Sequence, residues 1–195
     1  MIRFVYAFVG ALALSPAALS VGPASAQQAS PQPPRATAPA ANTAMAHAET
    51  TRAASFVPLA SSANLFEIES SQLALQRSQS VPVKEFANRM VTDHNLAAAK
   101  MKQALSEAKI PAPPETLNAK DQVVLDNLKI AKGAAFNKAY IEAQYNAHLE
   151  AVNLFGAYAK NGDNAQLKAL ASDLLPTLQG HLDHVTKLRS ASQGG

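Results

Sequence analysis

Residues 83–105 read VKEFANRMVTDHNLAAAKMKQAL. Apolar side chains fall at Val83, Phe86, Ala87, Met90, Ala97, Met101 and Leu105, in steps of three and four that collect them on one face of an α-helix. His94 falls in the same stripe, where a polar ring is out of character. The stretch therefore fixes both the period of the fold and the first residue that departs from it.

The same period extends in both directions. A helix is predicted over 56–79, with Leu59, Ala63, Phe66, Ser70, Leu73 and Ala74 facing inward and Glu67 on the same side. Ser80-Val81-Pro82 breaks it, with Ser80 placed to cap the next helix, which runs to 108. Three prolines between 110 and 115 make a connection, and a shorter helix is expected over 117–130, with a bend at Lys132-Gly133. A further long helix covers 135–160 and carries Phe136, Tyr140, Ala147, Ala151, Phe155 and Tyr158. Asn161-Gly162 ends it, and Asp163 is placed to cap a last helix whose inner face is Leu167, Leu170, Leu174, Leu178, His181, Val185 and Leu188. Pro176 predicts a bend or break there. Strand signals are weak, since Val123-Val124 lies within a helical register. The expected fold is all-α: an antiparallel four-helix bundle with an extra short helix in the crossover between the second and third long helices.

Four segments are expected along the chain. Residues 1–26 read as a signal peptide, with Arg3, an apolar run over 4–14 and Ala24-Ser25-Ala26 as a small-x-small cleavage site. That run is too short to span a bilayer, so no transmembrane segment is expected after signal removal. Residues 27–52 are rich in Ala and Pro and read as a flexible leader, with His47 incidental. The bundle occupies 53–190, and 191–195 form a disordered tail. The expected location is the periplasm or the peripheral cell envelope.

Composition narrows the chemistry. The 195 residues hold 17 Lys+Arg and 14 Asp+Glu but no Cys and no Trp. Disulfides, thiolate metal sites, cysteine nucleophiles and an acyl-cysteine anchor are excluded. No basic cluster appears, so nucleic acid is not an expected partner. There is no Gly-rich phosphate loop, nucleophile elbow, EF-hand loop or His-Glu-x-x-His motif.

The polar residues that interrupt the stripes carry the functional signal: Glu67, His94, Gln144, His148 and His181, with Asp93 flanking His94. At about 1.5 Å of rise per residue, Glu67, His94 and His148 each lie about 18 Å from the end where the first two helices join. A carboxylate and two imidazoles in one layer suit zinc, iron, manganese or copper, with Asp93 or water in open positions. The same layer also reads as a buried hydrogen-bonded network that fixes helix register. His181 counts out higher, at about 27 Å, which suggests a second layer with Tyr140 and Gln144, or chelation together with His184.

Phe56, the run Leu65-Phe66-Glu67-Ile68-Glu69 with Leu73-Ala74, Lys84-Glu85-Phe86-Ala87, Met90-Val91-x-Asp93-His94, Phe136 with Tyr140, Gln144 with His148, and Leu175-Pro176 leading to His181 resemble the bacterial exported family of domain-of-unknown-function 4142, often labelled an outer membrane protein. The resemblance spans about 54–190. It implies a ferritin-like helical bundle in the cell envelope, with Glu67, Asp93, His94, His148 and His181 as signature polar positions and no established reaction. Where the family carries Asp after the helix-three Phe, this chain has Asn137. The outer-membrane label finds no support in composition, because no series of short alternating strands or aromatic girdle occurs.

Three functions follow as expectations. The first is an exported bundle that binds a divalent transition metal through Glu67, His94, His148, Asp93 and His181. The second is a structural or stress-related envelope protein with no metal, whose partner is an envelope protein or the cell wall. The third is a ferritin-like redox enzyme, disfavoured because Val91 and Tyr145 stand where paired Glu-x-x-His ligands need acids. Whether the protein is an enzyme, and its oligomeric state, are left open by the residues.

Overall fold

The computed structural model describes residues 50–193. The expected signal peptide, His47 and all but the last three residues of the expected leader lie outside them. Five helices follow in order: α1 (Ala53–Arg77), α2 (Val81–Ala108), α3 (Ala119–Ile130), α4 (Gly133–Asn161) and α5 (Ala165–Gln193). Among the described residues there is no strand. The last helix continues to Gln193, through the start of the segment expected to fray.

Local chemistry sets the helix ends, not always as the sequence suggested. Ser80 precedes α2 but its side chain caps nothing; the helix starts at Val81 with Pro82 in its first turn, where the missing N–H costs nothing. At the other end Lys109 is left-handed (φ 56), its N–H and that of Ile110 return to Leu105 and Ser106, and Ile110 packs on the core. Asn164, not Asp163, caps α5, its Oδ1 accepting from the Leu167 N–H at 3.0 Å. Asp163 closes the end of the molecule instead. Its Oδ1 accepts from the Ala53 N–H at 2.8 Å and the Tyr158 hydroxyl at 2.9 Å. Gly162 is required beside it, because a Cβ there would lie 2.5 Å from the Tyr158 ring. Pro176 does not break α5, which runs through it with the ring facing solvent.

The long helices touch in a ring: α1 with α2, α2 with α5, α5 with α4, and α4 with α1. The three-residue links at 78–80 and 162–164 leave α1/α2 and α4/α5 no course but antiparallel. Helix α3 lies on α1 and α4. Its first turn is pinned by Ser62, whose hydroxyl donates to Asp121 Oδ2 at 2.5 Å and accepts from the Asn118 N–H at 2.9 Å. Its far end is held by the Arg77 guanidinium, which donates to the carbonyls of Lys129 and Ala131. Both clamps come from α1.

The core has two apolar halves. Phe56, Leu105, Phe155, Tyr158 and Leu167 centre one, with Phe56 stacked on Tyr158 at 3.9 Å. Phe66, Phe86, Met90, Leu128, Phe136 and Tyr140 centre the other. Each large side chain removed from water contributes about 1.5–3 kcal/mol, so both halves hold the helices together independently of what lies between. Leu59, expected inside, is 42% exposed; Val57 and Ala60 take the inner positions of that turn.

Candidate metal centre

Between the two apolar halves lies a polar layer. His94 sits one turn from Met90 and from Ala97, His181 one turn from Leu178 and from Val185, and His148 two turns from Ile141 and from Phe155, so each lies between the two halves. Helical spacing thus carries these rings inward with their apolar neighbours. His94, His148 and His181 are all buried. Their ring centroids are 5.3–5.7 Å apart, and one nitrogen from each ring lies within 4.8 Å of the others.

The placement of His181 corrects the sequence reading, which set it above His148 in a separate layer. Two effects close the gap. Helix α5 begins at Ala165, so His181 is about 24 Å along it, while His148 is about 20 Å from the end of α4. Each Cα–Cβ bond also leans toward its own helix N-terminus, and α4 and α5 run oppositely, so the two rings lean toward each other. The expected Tyr140–Gln144–His181 layer does not form. The Tyr140 hydroxyl pairs with Ser71 Oγ at 2.8 Å, and the Gln144 amide donates to Ser70 Oγ at 3.0 Å, both on α1. His184 stays half-buried against the edge of Phe86. Asn137 lies eleven residues, about 16 Å, along α4 from His148.

Each histidine is held by one nitrogen, and the partner fixes its tautomer. His148 Nδ1 donates to the Gln144 carbonyl at 2.9 Å. His181 Nε2 donates to Asp93 Oδ2 at 2.8 Å. His94 Nδ1 donates to Asn64 Oδ1 at 2.9 Å. A neutral imidazole that donates through one nitrogen presents a lone pair on the other. Those others are His94 Nε2, His148 Nε2 and His181 Nδ1, and all three are buried without a hydrogen-bond partner among the described residues.

The electrostatics keep the rings neutral. Burial pushes His148 down to about 4 against the favourable Gln144 carbonyl, and His181 adds to the depression. His94 is held well below its usual value by burial and by the two neighbouring rings. His181 is lowered by burial, with Asp93 opposing. Three desolvated imidazoles near one another resist protonation, and neutral imidazole is the form that binds metals.

The acids stand behind the rings. Glu67 Oε1 lies 3.6 Å from His148 Nδ1, on the side of the ring away from its free nitrogen. Burial raises the Glu67 carboxyl to about 8, with the Gln144 side chain opposing and Asp121 assisting. Asp93 reaches the layer through His181. Of the five residues singled out from sequence, three therefore meet as a cluster, and Glu67 and Asp93 flank it. Asn64 and Ser71 were missed. Their signal was present, since Asn64, Glu67 and Ser71 recur at steps of three and four on the inward face of α1.

The donors fit a transition metal. Bound at about 2.0–2.1 Å, such an ion would draw the three nitrogens closer together than the 4.8 Å limit of the cluster. Five of the six buried polar atoms without a partner among the described residues belong to Glu67, His94, Gln144, His148 and His181. A cleft of about 550 Å³ between α1, α2, α4, α5 and the α2–α3 link is lined by all three histidines, Glu67 and Asp93.

The chain belongs to the family described as a domain of unknown function (DUF4142), whose model matches residues 36–188. No curated protein matches it. Among solved structures it is similar to CopM in the Cu(II)-bound form, at 18% identity and a TM-score of 0.60, over 72% of this chain and 97% of that one. It is likewise similar to CopM in the Ag-bound form, at 18% identity and a TM-score of 0.58, over 72% of this chain and 96% of that one. The Cu(I)-bound form gives the same identity and TM-score over 70% of this chain and 94% of that one. At this identity the likeness speaks for the helical fold.

Proposed function

We propose that this protein is an exported, periplasmic metal-binding bundle that takes up a transition-metal ion, copper foremost, on His94, His148 and His181. The helical frame is read as an antiparallel four-helix bundle of ferritin-like type, with α3 carried in its crossover. One observation carries the reading: three buried imidazole lone pairs have no donor among the described residues, while one nitrogen from each ring lies within 4.8 Å of the others. A hydrogen-bonded layer that served only helix register would give those acceptors donors from side chains or the backbone. Nitrogen donors favour copper and zinc over magnesium, calcium and manganese, and copper binds most tightly among the divalent ions of the first transition row. CopM, solved with copper and with silver, adds support for copper.

The chain's own residues divide the work. Asn64, the Gln144 carbonyl and Asp93 orient the rings and hold the N–H on the outer nitrogen. Glu67 keeps a proton beside His148 at neutral pH, so the layer starts without fixed negative charge from that acid. A bridged di-metal oxidase centre wants carboxylates between the metals, whereas Glu67 and Asp93 sit on the outer sides of His148 and His181. Binding is therefore a better reading than oxygen chemistry.

Untagged, metal-stripped protein dialysed against copper, then passed over a desalting column, tests the proposal by metal analysis. Close to one equivalent is expected. Less than a tenth of an equivalent of copper, together with no thermal shift on adding zinc, iron or manganese, would overturn it.

A further inference from the structure

Three protein nitrogens leave at least one coordination position for something else. The cleft against the histidines says what kind of molecule can come. It is lined by His94, His148 and His181 with Glu67 and Asp93, while Ala97, Met101, Ala151, Phe155 and Leu178 make apolar walls. Ala97 and Ala151 in that lining leave space that larger side chains would fill. At about 550 Å³ it falls within the range of small-molecule sites.

We propose that this cleft is a ligand pocket that brings an external donor to the metal: a small neutral molecule with a nitrogen-donor head of azole type and an apolar body. The inference rests on the metal reading above. Lys102 and Glu115 also line the cleft, but they are largely exposed and lie 3.7 Å from each other, so the apolar walls themselves offer a charged body no partner in place of its hydration. Asp93 borders the same end and disfavours an anionic head, while apolar surface on the body gains by leaving water. The head meets the metal and the body fills the space between Ala97 and Ala151.

The full chain loaded with one equivalent of cobalt(II) gives a visible ligand-field spectrum that reports both questions separately. Imidazole and 4-phenylimidazole are titrated in turn. Both are expected to shift the cobalt bands, and 4-phenylimidazole to bind at least tenfold more tightly, because its ring enters the cleft. Ala151→Leu and Ala97→Leu fill the cleft and should cut that advantage below threefold, with the imidazole affinity changed less than twofold. Thr177→Trp, at the exposed rim, repeats the test without loading the interior. Cobalt bands that ignore both ligands, equal affinity for the two, or an advantage that survives all three variants overturns the pocket and leaves the metal site standing. Protein that acquires no cobalt bands is loaded with copper(II) and read by its visible bands in the same way; uptake of neither ion overturns the metal site and the pocket together.

Discussion

Replacing Glu67 by Gln makes a sharp test of the polar layer, because it removes one proton-binding site and almost no volume. In the folded protein the carboxyl holds its proton up to about pH 8, against an ordinary value of 4.5, because burial leaves the anion without water. A raised carboxyl contributes stability that is complete below pH 4.5 and is lost as pH rises toward 8, since the unfolded chain sheds the proton first. At about 1.4 kcal/mol per pH unit, the metal-free wild type should lose about 3 kcal/mol relative to E67Q between pH 5 and pH 7.5. Urea unfolding at several pH values measures this. With a slope of about 2 kcal/mol per molar, the gap between the two midpoints should move by about 1.5 M across the window, E67Q gaining as pH rises. Midpoints that stay parallel from pH 5 to pH 7.5 would refute the reasoning and place Glu67 in contact with water or a cation in the folded state.

The histidines act in the opposite direction. His148, depressed from 6.5 to about 4, contributes stability that is full above pH 6.5 and lost as pH falls toward 4; H148Q should flatten that acid limb by about 3 kcal/mol in the same assay. H94A, H148A and H181A should each weaken copper binding at least 100-fold in a competition titration, and equal affinity in any one removes that ring from the site. D93A should cost about 10–100-fold in the same titration because His181 loses its acceptor, whereas D93N, which keeps an oxygen, should cost much less. F86A should destabilise the metal-free protein by about 3–5 kcal/mol in urea, since the ring is fully buried between the layer and the lower core.

The helices were legible because apolar spacing is a property of sequence that packing rarely overrides. The stripe from Val83 to Leu105 and its counterpart from Leu167 to Leu188 face inward as spaced. Errors arose where a single residue had competing uses. Leu59 lost its inward place to Val57 and Ala60 because the first turns of α1 are phased by Phe56 stacking on Tyr158, a contact 102 positions away. Asp163 was a sound cap by type, yet its carboxylate is taken by Ala53 and Tyr158, and Asn164 caps in its place. At the centre, His94 and His148 announced themselves as polar rings in apolar stripes. His181 announced itself too, but counting rise along an axis ignores the lean of side chains on opposed helices, and that lean brings it in. Asn64 and Ser71 shared the inward face with Glu67, yet short polar residues in an alanine-rich helix read as surface until a partner across the core is known.

Helix α3 is fastened at both ends to α1, by Ser62 at its start and by Arg77 at its finish. The prolines that lead into it, Pro113 and Pro114, edge the cleft. The doorway to the histidines is thus built from linker, while its fixed side is anchored elsewhere. Lengthening or shortening residues 111–116 offers a way to widen or narrow that doorway without touching a single imidazole. Related chains can in this way diverge in what they admit while keeping what they hold.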